Sequence, residues 1–225
     1  MTQLKVDKLT LGYNGHAIVK DLSFTVNKGD YFCILGENGA GKTTLLKAIL
    51  DLANVIIDGD IDLGDEMDYN DIGYLPQHRD VQKDFPASVY EIVLSGFLNR
   101  CGLRPFYNKA EKTLAKENMK KVGIENLAKQ CYRELSGGQQ QRALLARALC
   151  ASNKMILLDE PVAGLDPDAT KEMYDLIAKL NSEDGITVIM ISHDVDAATK
   201  NCSHVLKLFK GGTHKLENKK GGAGK

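Results

Sequence analysis

The stretch YFCILGENGAGKTT, residues 31–44, sets a short apolar run against three closely spaced glycines, a lysine and two threonines. Residues 31–35 carry no charge, as expected of a strand buried on both faces. Glycines at 36, 39 and 41 let the backbone curl so that successive N–H groups turn inward on an anion. The following KTTLLKAILDL (residues 42–52) has a helical pattern, and a helix start adds partial positive charge at the same point. Strand, glycine loop and helix thus stand in the order of a phosphate-binding P-loop, Gly36-x-x-x-x-Gly41-Lys42-Thr43. In that reading Gly36, Glu37, Asn38, Gly39, Ala40, Gly41 and Thr44 line a nucleotide. Lys42 reaches the β- and γ-phosphates, and Thr43 places its hydroxyl on Mg²⁺. A glycine-rich turn ahead of an ordinary helix is the plainer reading of the same residues. The correct flanking elements favour the phosphate site.

Outward from this stretch, LKVDKLTLGY (residues 4–13) and DLSFTV (residues 21–26) alternate as strands do, and DIGYLP (residues 71–76) reads as a further strand. Residues 86–130 change character. Ser88 and Glu91 have capping-box spacing before IVLSGFL, and Asn108 and Glu111 before KTLAKENMKKV, with Gly123 as a helix stop. Strands then alternate with helices again: SGGQQQRALLARALC (helix), KMILLDE (strand), DATKEMYDLIAKL (helix), ITVIMIS and SHVLKLF (strands). This rhythm predicts an α/β fold with a mainly parallel sheet, an N-terminal β region and a helical insertion between Gln77 and residue 135. The expected division is one domain over residues 1–225. Its core occupies about 1–85 and 150–209, its helical subdomain about 86–149, and a Lys- and Gly-rich flexible tail 210–225.

The bulk composition excludes little. The 225 residues are 43% hydrophobic and 26% charged, ordinary for a globular chain. A formal net charge of −1 implies no broad attraction to nucleic acid or anionic lipid. Five cysteines lie scattered with no Cys-x-x-Cys pair. Cys33 and Cys150 sit in apolar runs and read as buried free thiols, which points to a reducing, cytosolic compartment. The first residues have no long apolar core and so read as no signal peptide. No stretch approaches the roughly 20 apolar residues that span a bilayer. Work at a membrane would therefore need another chain to supply the span.

Whether a bound nucleotide is turned over is addressed by KMILLDEP. Apolar residues 155–158 lead to two carboxylates, Asp159 and Glu160. A carboxylate at the end of a buried strand can hold the water shell of Mg²⁺, which suits Asp159. Glu160 can polarise an attacking water. Two carboxylates capping the next helix are the simpler alternative. His193 follows the apolar run ITVIMI, where α/β sheets bind ligands, so a hydrogen bond to the γ-phosphate competes with a merely solvated histidine. In LSGGQQQRALLARAL, Ser136 can cap a helix and Gly137 and Gly138 leave N–H groups open to an anion. A second phosphate-seeking helix start is odd beside a P-loop, unless it serves a nucleotide held by another copy.

With that stretch the chain resembles the nucleotide-binding subunits of ATP-binding cassette (ABC) transporters, whose Leu-Ser-Gly-Gly-Gln signature stands unchanged at residues 135–139. The resemblance covers residues 3–209. It implies a P-loop NTPase core, ATP and Mg²⁺ as ligands, and head-to-tail homodimers with two ATP molecules between them. Lys42, Glu160 and His193 would be catalytic. The resemblance also implies that Tyr13 stacks on adenine, although a strand-end tyrosine is the simpler account. Gln77, in GYLPQ, would touch Mg²⁺ and water beside Thr43 and Asp159. Ser136, Gly137, Gly138, Gln139 and Asp166 (in Gly164-Leu165-Asp166) would contact the nucleotide of the opposing copy.

IGYLPQHRDVQKDFPASVYEIVLSGFLNR is similar to the ATPase subunits of bacterial zinc and manganese importers. This implies ATP hydrolysis powering a polytopic membrane permease, with a substrate-binding protein upstream and no nucleic-acid partner. It places the chain peripherally on the cytoplasmic face of a bacterial-type cell membrane, with the permease contact around residues 77–97. His193, Cys202 and His204 match no standard zinc spacing, so no further metal site is expected. The rival class is a non-transport cassette ATPase of the iron–sulfur cluster assembly type, which is also one short cassette. LFKGGTHKLENKKGGAGK departs from the usual importer ending and leaves any C-terminal regulatory or dimer contact open.

Overall fold

The computed structural model describes residues 1–64, 66–77, 86–102 and 104–219. Its contacts group residues 1–69 and 181–225 in one compact unit and residues 70–180 in another.

In the first unit, β1 (Thr2–Tyr13) and β2 (His16–Asn27) form an antiparallel hairpin. β3 (Tyr31–Gly36) is buried along its length, as its uncharged sequence requires, and α1 (Lys42–Ile49) follows the glycine loop. β4 (Ile56–Leu63) pairs antiparallel with β1, so this small sheet runs β2-β1-β4. The sequence reading does not anticipate β4. Its IIDGDIDL alternates Ile57, Gly59, Ile61 and Leu63 with aspartates at 58, 60 and 62, a strand pattern the reading passed over, and none of its residues is fully buried.

The parallel part of the second unit, residues 70–180, is β5 (Ile72–Leu75) beside β6 (Met155–Asp159). The α-helices among its described residues are α2 (Val89–Leu94), α3 (Leu98–Cys101), α4 (Lys109–Lys121), α5 (Gly137–Ala151) and most of α6 (Pro167–Ser182). Both expected capping boxes form. The Glu91 and Glu111 amides donate to Ser88 Oγ (3.3 Å) and Asn108 Oδ1 (2.9 Å), and each carboxylate accepts from the cap backbone in return. Gly123 ends α4 as expected. Its N–H bonds Lys120 O at 3.1 Å while Ile124 N–H reaches Met119 O at 2.9 Å, the pattern that satisfies a helix's last carbonyls. α5 approaches β5 so closely that a Cβ on Gly73 would strike the Ala148 carbonyl. This packing is why contacts gather β5 with the helices rather than dividing the chain near residue 86.

The first unit resumes with β7 (Thr187–Ser192), α7 (Val195–Thr199), β8 (His204–Leu208) and β9 (His214–Asn218). β7 and β8 flank β3 in parallel, and β9 closes antiparallel on β8. Two expectations need correction here. Residues 214–218, read as flexible tail, form an ordered edge strand on an antiparallel ladder to β8, with Lys207 paired to Glu217 across it. The tail's last residues, 220–225, lie outside those described, as do residues 78–85 of the importer-like stretch. Cys33 is also not a free thiol, since it is joined to Cys202 in a disulfide. Their separation of 169 residues hides the pairing from sequence, and it removes the compartment argument drawn from cysteine usage. Cys150 is buried and free as expected, and burial pushes its thiol up to about 11.

Candidate nucleotide site

One group of candidate residues belongs to the first unit. β3 delivers the chain to Gly36, where a Cβ would come within 2.5 Å of the Leu208 carbonyl. Only glycine lets β3 and β8 meet at this point. The loop turns back through an Ala40 N–H bond to Glu37 O (3.2 Å) and enters α1 at Gly41, whose φ of 97° disfavours other residues. Glu37, Asn38, Gly39 and Thr43 are exposed, while Ala40 and Thr44 are buried. Lys42 is only 6% exposed and folds over the loop, donating to the carbonyls of Gly36 (2.6 Å) and Glu37 (3.0 Å). Its ammonium is thereby held against the loop's first two carbonyls, on a glycine-rich turn of the kind that can bind an anion.

The register of the parallel strands places His193. Leu35 pairs with Ser192, so the chain leaves β3 into Gly36 and leaves β7 into His193 at the same sheet edge. His193 is exposed there, and the next residue, Asp194, caps α7 through the Ala197 N–H at 3.1 Å. Tyr13 ends β1 at the hairpin tip, where Asn14 and Gly15 make the turn with positive φ. It is 44% exposed, leaving a ring face for stacking.

The other group belongs to residues 70–180. Leu75 pairs with Leu158, so Pro76-Gln77 and Asp159-Glu160 emerge side by side from β5 and β6. Gln77 Nε2 donates to Glu160 Oε2 at 2.6 Å, which fixes the carboxylate's direction. Glu160 has φ of 51°, uncommon for a residue with a Cβ and costly unless the surroundings impose it. Sequence reading has no signal for this strain or for the Gln77 contact, which spans 83 residues. Asp159 is 4% exposed at the strand end.

α5 begins where the signature predicts. Ser136 is its cap, with Gln139 N–H donating to Ser136 Oγ at 3.3 Å and Ser136 N–H to Gln139 Oε1 at 3.0 Å. Ser136-x-x-Gln139 is itself a capping box, a signal used at residues 88–91 and 108–111 but missed here. The structure brings the signature to the loop that carries Gly164. A Cβ on Gly137 would lie 3.5 Å from Leu165, and one on Gly138 would lie 3.3 Å from Ala169. Asp166 in that loop caps α6, accepting the Ala169 N–H at 2.9 Å, with Pro167 at the first helical position.

The metal-directed candidates fit a small hard cation by their chemistry. Thr43, Gln77 and Asp159 supply hydroxyl, amide and carboxylate oxygens, the donors Mg²⁺ prefers.

A family model described as ABC transporter matches residues 19–163. The chain is 40% identical over 212 residues to the manganese transport system ATP-binding protein MntB of Bacillus subtilis, covering 92% of this chain and 84% of that protein. It is 31% identical over 226 residues to the zinc uptake system ATP-binding protein ZurA of Listeria innocua, covering 96% and 88%. Among solved structures it is similar to an ATP-binding cassette in a dimeric post-hydrolysis state bound to ADP and Pi. That match has a TM-score of 0.77 and 27% identity, covering 97% of this chain and 99% of the other. Together with the P-loop and the unbroken signature, these likenesses show that the chain belongs to the ABC transporter family and is an ATP-binding cassette ATPase.

Proposed function

We propose that this chain is the ATP-hydrolysing subunit of a transition-metal importer, binding MgATP and working as a head-to-tail homodimer on the cytoplasmic face of a bacterial-type membrane. A polytopic permease carries the ion, and a substrate-binding protein delivers it. The observation that carries the enzymatic reading is the Gln77–Glu160 contact, which aims one carboxylate from a strained backbone position. Metal import draws its support from the relatives, one named for manganese transport and one for zinc uptake. No helix among the described residues is long and apolar enough to cross a membrane, so a separate permease is required by this reading.

The residues divide the work. The P-loop N–H groups and Lys42 bind the β- and γ-phosphates, and Tyr13 stacks on adenine. Mg²⁺, held by Thr43, Asp159 and Gln77, would neutralise phosphate charge. Glu160 takes a proton from water as the water oxygen bonds the γ-phosphorus. The bond to the β–γ bridging oxygen breaks, and ADP leaves with that electron pair. His193 donates to the γ-phosphate oxygens. Ser136, Gly137, Gly138, Gln139 and Asp166 complete the site from the opposing copy.

The test is to solubilise membranes carrying tagged Glu160→Gln protein, add ATP, and identify what copurifies. A stoichiometric polytopic membrane protein is the expected result. Recovery of soluble partners alone would reject transport in favour of the iron–sulfur assembly class.

A further inference from the structure

The phosphate loop is gripped at both ends by two elements that are themselves joined. At its start, Gly36 pairs with Leu208, the last residue of β8, with no room for a side chain between them. At its end, a Cβ on Gly41 would lie 2.6 Å from Val19 and 3.1 Å from Ile18 of β2. The hairpin turn after β8 closes on itself, Phe209 N–H to Thr213 O at 3.0 Å, and accepts from β2 through Lys20 N–H to Gly212 O at 3.2 Å. Gly212 also lies against β2, where a Cβ would meet the Ile18 carbonyl at 3.3 Å. From this turn Lys210 reaches back, its Nζ lying 3.3 Å from Glu37 Oε2.

We propose that the C-terminal hairpin turn, residues 209–213, braces the phosphate loop, and that Lys210 is a positioning residue for ATP acting through Glu37. The inference rests on the nucleotide reading above. Glu37 is an anion on a loop built to hold anions. Its carbonyl already accepts from Lys42, so its carboxylate belongs to a residue the Lys42 ammonium touches. Lys210 holds the carboxylate aside and offsets its charge. The pair is well exposed, at 67% for Lys210 and 78% for Glu37, so it contributes little to folding. Its effect falls on nucleotide affinity instead. The flexible tail expected from sequence thus begins with a residue that conditions the ATP site.

The experiment uses the full chain and reads ATP affinity, KM and kcat. Lys210→Glu should raise KM about three- to tenfold at low salt and leave kcat within about twofold, because a favourable exposed pair becomes a repulsive one. Lys210→Arg should behave as the parent. About 0.5 M salt should shrink the difference by screening. An unchanged KM in Lys210→Glu, a fall in kcat at constant KM, or a KM difference that salt leaves intact would each overturn the proposal. Should Lys210→Glu fail to fold, Lys210→Met must raise KM in the same direction by a smaller factor. Lys42→Ala separates the two readings. If it abolishes ATP binding while Lys210→Glu is silent, only the brace falls. If it binds ATP as the parent does, the phosphate-loop reading falls and takes the brace with it.

Discussion

At the scale of single residues, Glu160 sits at a strained backbone position with its carboxylate steered by Gln77. Glu160→Gln keeps the shape and removes the base. ATP binding should persist while turnover falls by about 10²-fold or more, the usual cost of losing a general base. Single-turnover hydrolysis beside equilibrium ATP binding checks this, and near-normal turnover would refute the assignment. Tyr13 is the other single-residue test. Its ring is part-exposed at a hairpin tip and contributes no buried core packing, so Tyr13→Ala should leave folding intact. It should weaken ATP by roughly 1–3 kcal/mol, the range for one base stacked on an aromatic side chain. Calorimetric titration with ATP reads it, and an unchanged affinity would make Tyr13 structural.

At the scale of elements, the first turns of α2 and α4 depend on carboxylates. The Glu91 carboxyl is held below the usual range by the Ser88 hydroxyl and then by the Ser88 backbone N–H. The Glu111 carboxyl is lowered first by Arg104 and then by the Asn108 N–H. A carboxylate whose pKa is depressed by folding stabilises the fold above its unfolded value of about 4.3 and loses that contribution as pH falls through the lowered folded value. Both helix starts should therefore be intact near neutrality and fray in acid. Carboxyl titration by NMR checks it: Glu111 should titrate below the ordinary range, and Arg104→Ala should move it back up. A Glu111 carboxyl at its ordinary value in the parent chain would show that the box is not formed in solution.

At the scale of the whole molecule, one chain carries two helix starts suited to phosphate, at Gly41 and at Ser136. If they serve different nucleotides, a Lys42 variant and a Ser136 variant are complementary. Each alone should be nearly inactive. Mixed, their heterodimers should contain one intact composite site and regain a measurable part of the parent activity. No recovery on mixing, with heterodimers demonstrated, would collapse the composite site into a single-chain one.

Much of this protein was legible without coordinates wherever chemistry is carried by residues close together in the chain. The P-loop, the strand ending in Asp159-Glu160, the Ser136 helix start and the capping pairs at 88–91 and 108–111 are local patterns. Local backbone geometry and short-range hydrogen bonds make them, so residue order alone determines them. Tertiary structure decided the rest. Strand β4 has no fully buried residue, and β9 is set by its ladder to β8, with Lys207 paired to Glu217 across it. The Cys33–Cys202 bond, the Gln77–Glu160 contact and the meeting of the signature with Leu165 and Ala169 join residues distant in sequence. The same holds for the C-terminal turn at the phosphate loop, where Leu208 and Lys210 meet Gly36 and Glu37. Such contacts depend on strand order and register, and these are set by how the whole chain packs, not by any one stretch of it.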